Sequence, residues 1–141
     1  MKHSVETSWR GNMLFEATVS GHPVLMDAAT AAGGADQGAR PKELMLAALA
    51  GCTGMDVVSI LKKMRIDLDG LNIRVDGDVT EEHPKHYNRM HIIYEFKGKD
   101  LPIDQLKKAI ELSQERYCGV SAVYRKTMEV TYEITISDQE I

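Results

Sequence analysis

In several segments of the 141-residue chain hydrophobic positions recur at every second place; in one long stretch they do not alternate at all. His3, Val5, Thr7 and Trp9 alternate with Lys2, Ser4, Glu6 and Ser8, the pattern of a half-buried strand over 2–9. Arg10-Gly11-Asn12 reads as a turn, and Met13, Phe15, Ala17 and Val19 line one face of the strand after it. A short strand at 23–26 follows the turn Ser20-Gly21-His22. Leu71, Ile73, Val75, Gly77 and Val79 predict a strand with one wet face, and Met90, Ile92, Tyr94 and Phe96 predict its partner. Ile103, Leu106, Ile110, Ser113 and Tyr117 share a helical face over 102–117, broken by Cys118-Gly119. A short helix over 120–126 and a last strand, with Met128, Val130, Tyr132, Ile134 and Ile136 inward, complete the pattern.

The stretch without alternation is Pro41 to Arg65, which predicts one long helix. Proline suits its first turn, where the missing N–H is no loss, and Lys62, Lys63 and Arg65 suit the negative end of its dipole. Leu44 to Gly51 is apolar around the whole circumference, so burial on every side is expected. One small sheet covers only one side, and a homodimer that packs two such helices together supplies the rest. The segment 27–40, rich in alanine and glycine, reads as a mobile linker; the phosphate-loop spacing is absent from it. Strands segregated in this order predict an α+β fold with antiparallel sheet, as a single domain over 1–141.

Composition narrows the function classes. Charged residues make up 27% and hydrophobic ones 43%, as in soluble globular proteins. A formal net charge of −4 gives no general attraction to nucleic acid or anionic membrane. No uninterrupted apolar run reaches the ~18 residues of a membrane span, and the N-terminus MKHSVETSW has no hydrophobic signal region, so a cytoplasmic location is expected.

The chemistry candidates are the two cysteines, Cys52 and Cys118. In a reducing compartment, cysteines lean toward redox or metal chemistry rather than structural disulfides. Two thiols alone do not complete a tetrahedral zinc site, so no metal is expected there. Cys52 lies inside the long helix, where a buried structural thiol is the plain alternative; Gly51, Thr53 and Gly54 thin the side-chain bulk beside it. Cys118 lies at a helix break ahead of a short helix whose N–H groups favour a thiolate, with Arg116 and Arg125 nearby. If the two meet, one thiolate can be oxidised to a sulfenic acid and the other can condense with it. Burial raises a thiol's pKa, so such a mechanism needs a cation; Arg10 at the hairpin tip is the first candidate and Arg40 the second. His83, His86 and His91 fall in and near a proline-containing polar loop and read as loop residues rather than metal ligands.

The helix segment PKELMLAALAGC and the late Glu115-Arg116-Tyr117-Cys118-Gly119-Val120-Ser121 resemble the OsmC/Ohr family of thiol-dependent hydroperoxide reductases, over essentially the whole chain. GHPVLMDA and MDVVSILKKMR are more similar to its YhfA-like branch than to the Ohr enzymes. The resemblance implies an OsmC-like fold and an intertwined homodimer with the long helices at its centre. It matches Cys52 to the attacking cysteine, Cys118 to the resolving one and Arg10 to the arginine that holds the thiolate. It implies organic hydroperoxides as substrates, an external dithiol reductant and no bound cofactor. In Ohr enzymes a glutamate that pairs with the arginine directly follows the proline; here Lys42 stands there and Glu43 comes next. On a regular helix Lys42 lies about 80° and Glu43 about 180° from Cys52, so Glu43 is no direct replacement; Glu115 or Asp56, or Lys42 itself through its positive charge, are the other supporting candidates. The alternative is an OsmC-fold module that binds a small hydrophobic ligand or senses redox state without peroxidase turnover.

Overall fold

The computed structural model describes residues 1–138, and the last residues of the expected 1–141 domain lie outside that range. The element order is β1 (Glu6–Trp9), β2 (Phe15–Val19), β3 (His22–Met26), α1 (Leu44–Lys63), β4 (Gly70–Val79), β5 (Tyr87–Lys97), α2 (Ile103–Leu112), α3 (Gly119–Tyr124) and β6 (Glu129–Ser137). This is a mixed α+β architecture with a long helix and two three-stranded sheets, ordered β1-β2-β3 and β4-β5-β6. The chain divides into two compact units, Met1–Met45 and Leu46–Ile141.

In the first unit β1, β2 and β3 form an antiparallel meander, with Thr7 opposite Ala17 and Ala17 opposite Val24. The β1–β2 turn closes through Gly11 and Asn12, whose φ values of 100° and 47° bring the Arg10 amide 2.8 Å from the Leu14 carbonyl. All four residues of β1 are exposed, so the expected half-buried strand over 2–9 is shorter and wetter. The segment 27–40 is not a featureless linker. Asp27, only 3% exposed, accepts hydrogen bonds from the backbone N–H groups of Ala28, Ala35 and Gln37 at 2.7, 3.3 and 3.0 Å. Those bonds hold its carboxyl below the usual carboxylate range. A 3-10 turn at Thr30–Ala32 and a bridge between Met26 and Ala39 complete an ordered loop. Composition alone suggested mobility because small residues bury little; one carboxylate that gathers three amides supplies the missing order.

The second unit carries the main core. β4 and β5 pair antiparallel, with Ile73 opposite Tyr94 and Gly77 opposite Met90. Met90, Ile92, Tyr94 and Phe96 are fully buried on one face of β5, as their alternation requires. β6 lies on the other side of β5 and runs parallel to it, Ile92 opposite Tyr132 and Tyr94 opposite Ile134. This corrects the expected all-antiparallel sheet: the β5–β6 connection is a helical crossover through α2 and α3, which returns the chain in the same direction.

α1 begins at Leu44, not at Pro41. Residues 41–43 form a tight turn in which the Leu44 and Met45 amides bond the carbonyls of Pro41 and Lys42 at 3.1 Å. The regular-helix angles expected for Lys42 and Glu43 therefore do not apply. Leu49, Thr53, Val57 and Leu61 form the buried line of α1, packed on the β4–β5–β6 sheet with Leu106, Ala109 and Ile110 of α2. Burial on every side is not found within the single chain: Met45, Met55 and Val58 are exposed at 37%, 76% and 49%. By length and composition α1, with mean hydropathy 1.9, would pass for a membrane span, which corrects the expectation that no stretch does; a core helix of a soluble protein has the same profile. Gly54 faces the tip of Ile73, and a β-carbon there would lie 2.9 Å from Ile73 Cδ1, whereas one at Gly51 would meet nothing within 4 Å. Gly54 thus serves the helix–sheet approach rather than access to the thiol.

α2 ends at Leu112, five residues short of the expected Tyr117. Ser113–Tyr117 winds more loosely, and the Cys118 amide reaches back five residues to the Ser113 carbonyl at 2.7 Å. Tyr117, expected on the inner face, is 57% exposed as a result.

Candidate functional site: a thiol pair beside a buried polar network

Both cysteines lie in the second unit, and both are free thiols. Cys118 is 3% exposed and caps α3; its sulfur accepts the Ser121 N–H at 3.4 Å. The neighbouring amide, that of Val120, acts on the Cys52 sulfur and favours its thiolate. Cys118 lies near enough to Cys52 to act on its pKa. The start of α3 thus bears on both sulfurs. The loose turn over Ser113–Tyr117 brings this about, because it delivers Cys118 to the start of α3 beside α1.

Burial pushes the Cys52 thiol above its ordinary pKa, and the Cys118 hydrogen bond, the Cys118 charge and the Asp56 charge push it the same way; the Val120 N–H opposes them. A surface cleft of about 370 Å³ opens beside Cys118, bordered by Gln114, Glu115, Tyr117, Ala122 and Arg125.

Behind the thiols lies a polar network that the sequence pattern did not reveal. Thr53, directly after Cys52, is fully buried and its hydroxyl lies 2.7 Å from Tyr94 Oη and 2.8 Å from Ser113 Oγ. Ser113 Oγ donates to the Asp56 carboxylate at 2.9 Å. The Gln114 amide Nε2 donates to Tyr94 Oη at 2.9 Å and to Thr53 Oγ1 at 3.2 Å. Gln114 Oε1 accepts from Ser121 Oγ at 2.9 Å and from Arg125 Nη2 at 3.2 Å. Proton counting fixes the directions. An ionised carboxylate only accepts, so the Ser113 proton is committed to Asp56. Thr53 must then donate to Ser113, and Tyr94 to Thr53. Burial raises the Tyr94 pKa and keeps that phenol proton in place. The hydroxyls form a one-way chain from Tyr94 to Asp56, and among the described residues no buried side-chain nitrogen or oxygen lacks a partner. A threonine inside the apolar run of α1, and Ser113-Gln114 on an otherwise apolar helix face, were the signals that could have disclosed it.

The remaining sequence candidates are placed as follows. Arg10, in the first unit, forms an ion pair with Glu16 at 2.7 Å and is largely exposed. Arg40, also in the first unit, pairs with Asp36 at 2.7 Å and donates to the Gly38 carbonyl at 3.0 Å. Each guanidinium thus has an acidic partner within its own unit. Lys42 and Glu43 are exposed in the turn before α1, and Glu115 is exposed at the rim of the cleft beside Cys118. Arg116 lies over the Tyr117 ring, 5.9 Å from its centroid, and Arg125 is held by Gln114. His91 bonds Thr131 and Glu133 across the β5–β6 pair, and His86 bonds the Pro84 carbonyl. Among the described residues no three His, Cys, Asp or Glu side chains converge as metal ligands would.

Comparison with known proteins bears on the whole chain. Residues 33–133 match the family model described as OsmC-like protein. Protein YhfA of Escherichia coli K12 is 31% identical over 119 residues, which cover 84% of this chain and 86% of YhfA. The crystal structure of a hypothetical protein from Aquifex aeolicus VF5 superposes with a TM-score of 0.82 at 29% identity, covering 98% of this chain and all of that one. The organic hydroperoxide resistance protein OhrB of Bacillus subtilis has the same fold, with a TM-score of 0.64 at 20% identity over 94% of this chain and 98% of its own. With the family model spanning α1, both cysteines and most of the second sheet, the chain belongs to the OsmC-like protein family.

Proposed function

We propose that the protein reduces organic hydroperoxides through a Cys52–Cys118 dithiol–disulfide cycle. The observation that carries the reading is that Cys118, the cap of α3, lies near enough to Cys52 to act on its pKa. The fold shared with an organic hydroperoxide resistance protein supports the choice of substrate class. In the first step the Cys52 thiolate attacks one oxygen of the O–O bond; the bond breaks, the alkoxide leaves and takes up a proton, and Cys52 becomes a sulfenic acid. The Cys118 thiolate then attacks the sulfenic sulfur, hydroxide leaves as water after protonation, and the disulfide closes. An external dithiol returns both thiols with two electrons. Attack by Cys52 requires a cation against its raised pKa; Arg10 is the candidate at the family-matched position and Arg40 its alternate. The working form is a homodimer, since Met45, Met55 and Val58 on α1 otherwise face water.

Steady-state turnover of cumene hydroperoxide with dihydrolipoamide tests the reading. Both Cys52→Ser and Cys118→Ser are expected to abolish it, and dimedone is expected to trap a sulfenic acid on Cys52 in the Cys118→Ser variant. Parent protein without turnover refutes it. Trapping on Cys118 in Cys52→Ser instead would exchange the two roles, a second reading favoured by the cleft that opens beside Cys118.

A further inference from the structure

Gln114 is 4% exposed and sits where the supports of the two thiols meet. A side-chain amide offers two N–H donors and a carbonyl with two lone pairs, and all four capacities are used here. Its orientation follows from its partners. Arginine only donates, so the atom facing Arg125 is the carbonyl Oε1, and Ser121 Oγ donates to the same oxygen. On the other side the protons of Tyr94 and Thr53 are already directed along the hydroxyl chain, and their oxygens are left to accept from Nε2.

The two ends of the amide therefore address different thiols. Nε2 holds Thr53, the residue after Cys52 on α1. Oε1 holds the side chain of Ser121, whose own N–H donates to Cys118 and whose neighbour Val120 acts through its N–H on the Cys52 thiolate. We infer that Gln114 is a positioning residue for the thiol pair: its amide registers the start of α3 against α1, so that the two sulfurs meet in the geometry a disulfide needs. The inference rests on the dithiol reading of Cys52 and Cys118 but does not depend on a hydroperoxide being the oxidant.

Equilibrium with glutathione measures this registration directly. One protein dithiol and one glutathione disulfide give one protein disulfide and two glutathione thiols, with two electrons passing to glutathione. The constant reports how well the folded chain holds the two sulfurs together. Gln114→Leu is expected to lower it about tenfold, equivalent to about 1.4 kcal/mol, and Ser121→Ala, which removes one of the four bonds, about threefold. A general loss of packing lowers the melting temperature of the dithiol and disulfide forms alike and leaves the constant where it was. An unchanged constant in folded Gln114→Leu overturns the inference; should that variant not fold, an unchanged constant in Ser121→Ala does so. Hydroperoxide turnover of the parent is measured alongside. A lowered constant in the variants without parental turnover removes the peroxidase reading and keeps the positioning role, and turnover with an unchanged constant does the reverse.

Discussion

Asp56 stands one helical turn beyond Cys52 on α1, and its negative charge raises the energy of a Cys52 thiolate. The carboxylate is kept in place by the Ser113 hydroxyl. Replacing it with a neutral amide keeps an oxygen acceptor for Ser113 and removes the charge. With the pair about 6 Å apart, as i and i+4 side chains are, Coulomb's law gives about 0.7 kcal/mol in a water-like dielectric and more in a drier one. Asp56→Asn is therefore expected to lower the Cys52 pKa and to speed its alkylation by iodoacetamide at pH 7 by roughly threefold or more. The pH profile of alkylation, followed in a Cys118→Ser background, checks it; an unmoved midpoint would show that Asp56 does not act on the sulfur.

The same raised pKa has a consequence for stability. A thiol held protonated by the folded state stabilises it fully below the unfolded thiol value of about 8.5, and that contribution is lost as pH rises through the higher folded value. The thermal midpoint is expected to fall as pH is raised from about 8 to 10. In Cys52→Ser the fall should be shallower. Differential scanning fluorimetry at constant ionic strength compares the two slopes.

The one-way hydroxyl chain predicts unequal costs for cutting it. Tyr94→Phe removes the first donor and leaves one Gln114 N–H without its acceptor, while Thr53 still accepts from Gln114 and donates to Ser113. About 1–2 kcal/mol is expected. Thr53→Val, nearly equal in volume, strands the Tyr94 proton, one Gln114 N–H and the Ser113 lone pair together. A loss of about 2–4 kcal/mol is expected, read by urea denaturation. Equal midpoints for the two variants would contradict the assigned directions.

Asp27 makes a prediction for the loop it gathers. Asp27→Ala frees three backbone amides and is expected to expose the alanine-rich 28–39 segment. Elastase should then cut within it under conditions that leave the parent intact, with the products located by mass spectrometry.

Two glycines should respond in opposite ways to alanine. At Gly77 a β-carbon would stand 2.7 Å from the Tyr87 ring and 2.9 Å from Leu46, between side chains that have little room to yield. Gly77→Ala is expected to cost about 1–3 kcal/mol. At Gly54 the obstacle is the single terminal methyl of Ile73, and the gain in helix propensity of about 1 kcal/mol offsets the shift. Gly54→Ala should leave the urea midpoint close to that of the parent.

Much of this was legible from alternation. The face Met90, Ile92, Tyr94 and Phe96 reads as buried from sequence and is buried, because one apolar residue in two has a single physical solution. Cys118 at a helix break was readable for the same kind of reason: Gly119 after a periodic run marks an end, and the thiol does cap α3. The parallel β6 was not readable, since alternation is the same in either direction. Nor was the site behind the thiols. Ser113, Gln114 and Ser121 are residue types that usually meet water, and only contacts across sixty positions turn them into a buried circuit with Thr53. The partners of the arginines were not readable for a related reason. A hairpin tip suggested Arg10 as a cation, and alternation did not disclose that Glu16 lies across the strand pair within reach.

The parallel seating of β6 also has a bearing on how the molecule comes together. Cys118 rides on the crossover, and the crossover is anchored at its far end only when the last strand docks along β5. Loop closure of that length is slow compared with forming the β4–β5 hairpin. Encounter of the two sulfurs is therefore expected to follow formation of the β4–β5 hairpin. A chain caught earlier, on the ribosome or during refolding, carries two unsupervised thiols that are open to mispairing with other molecules.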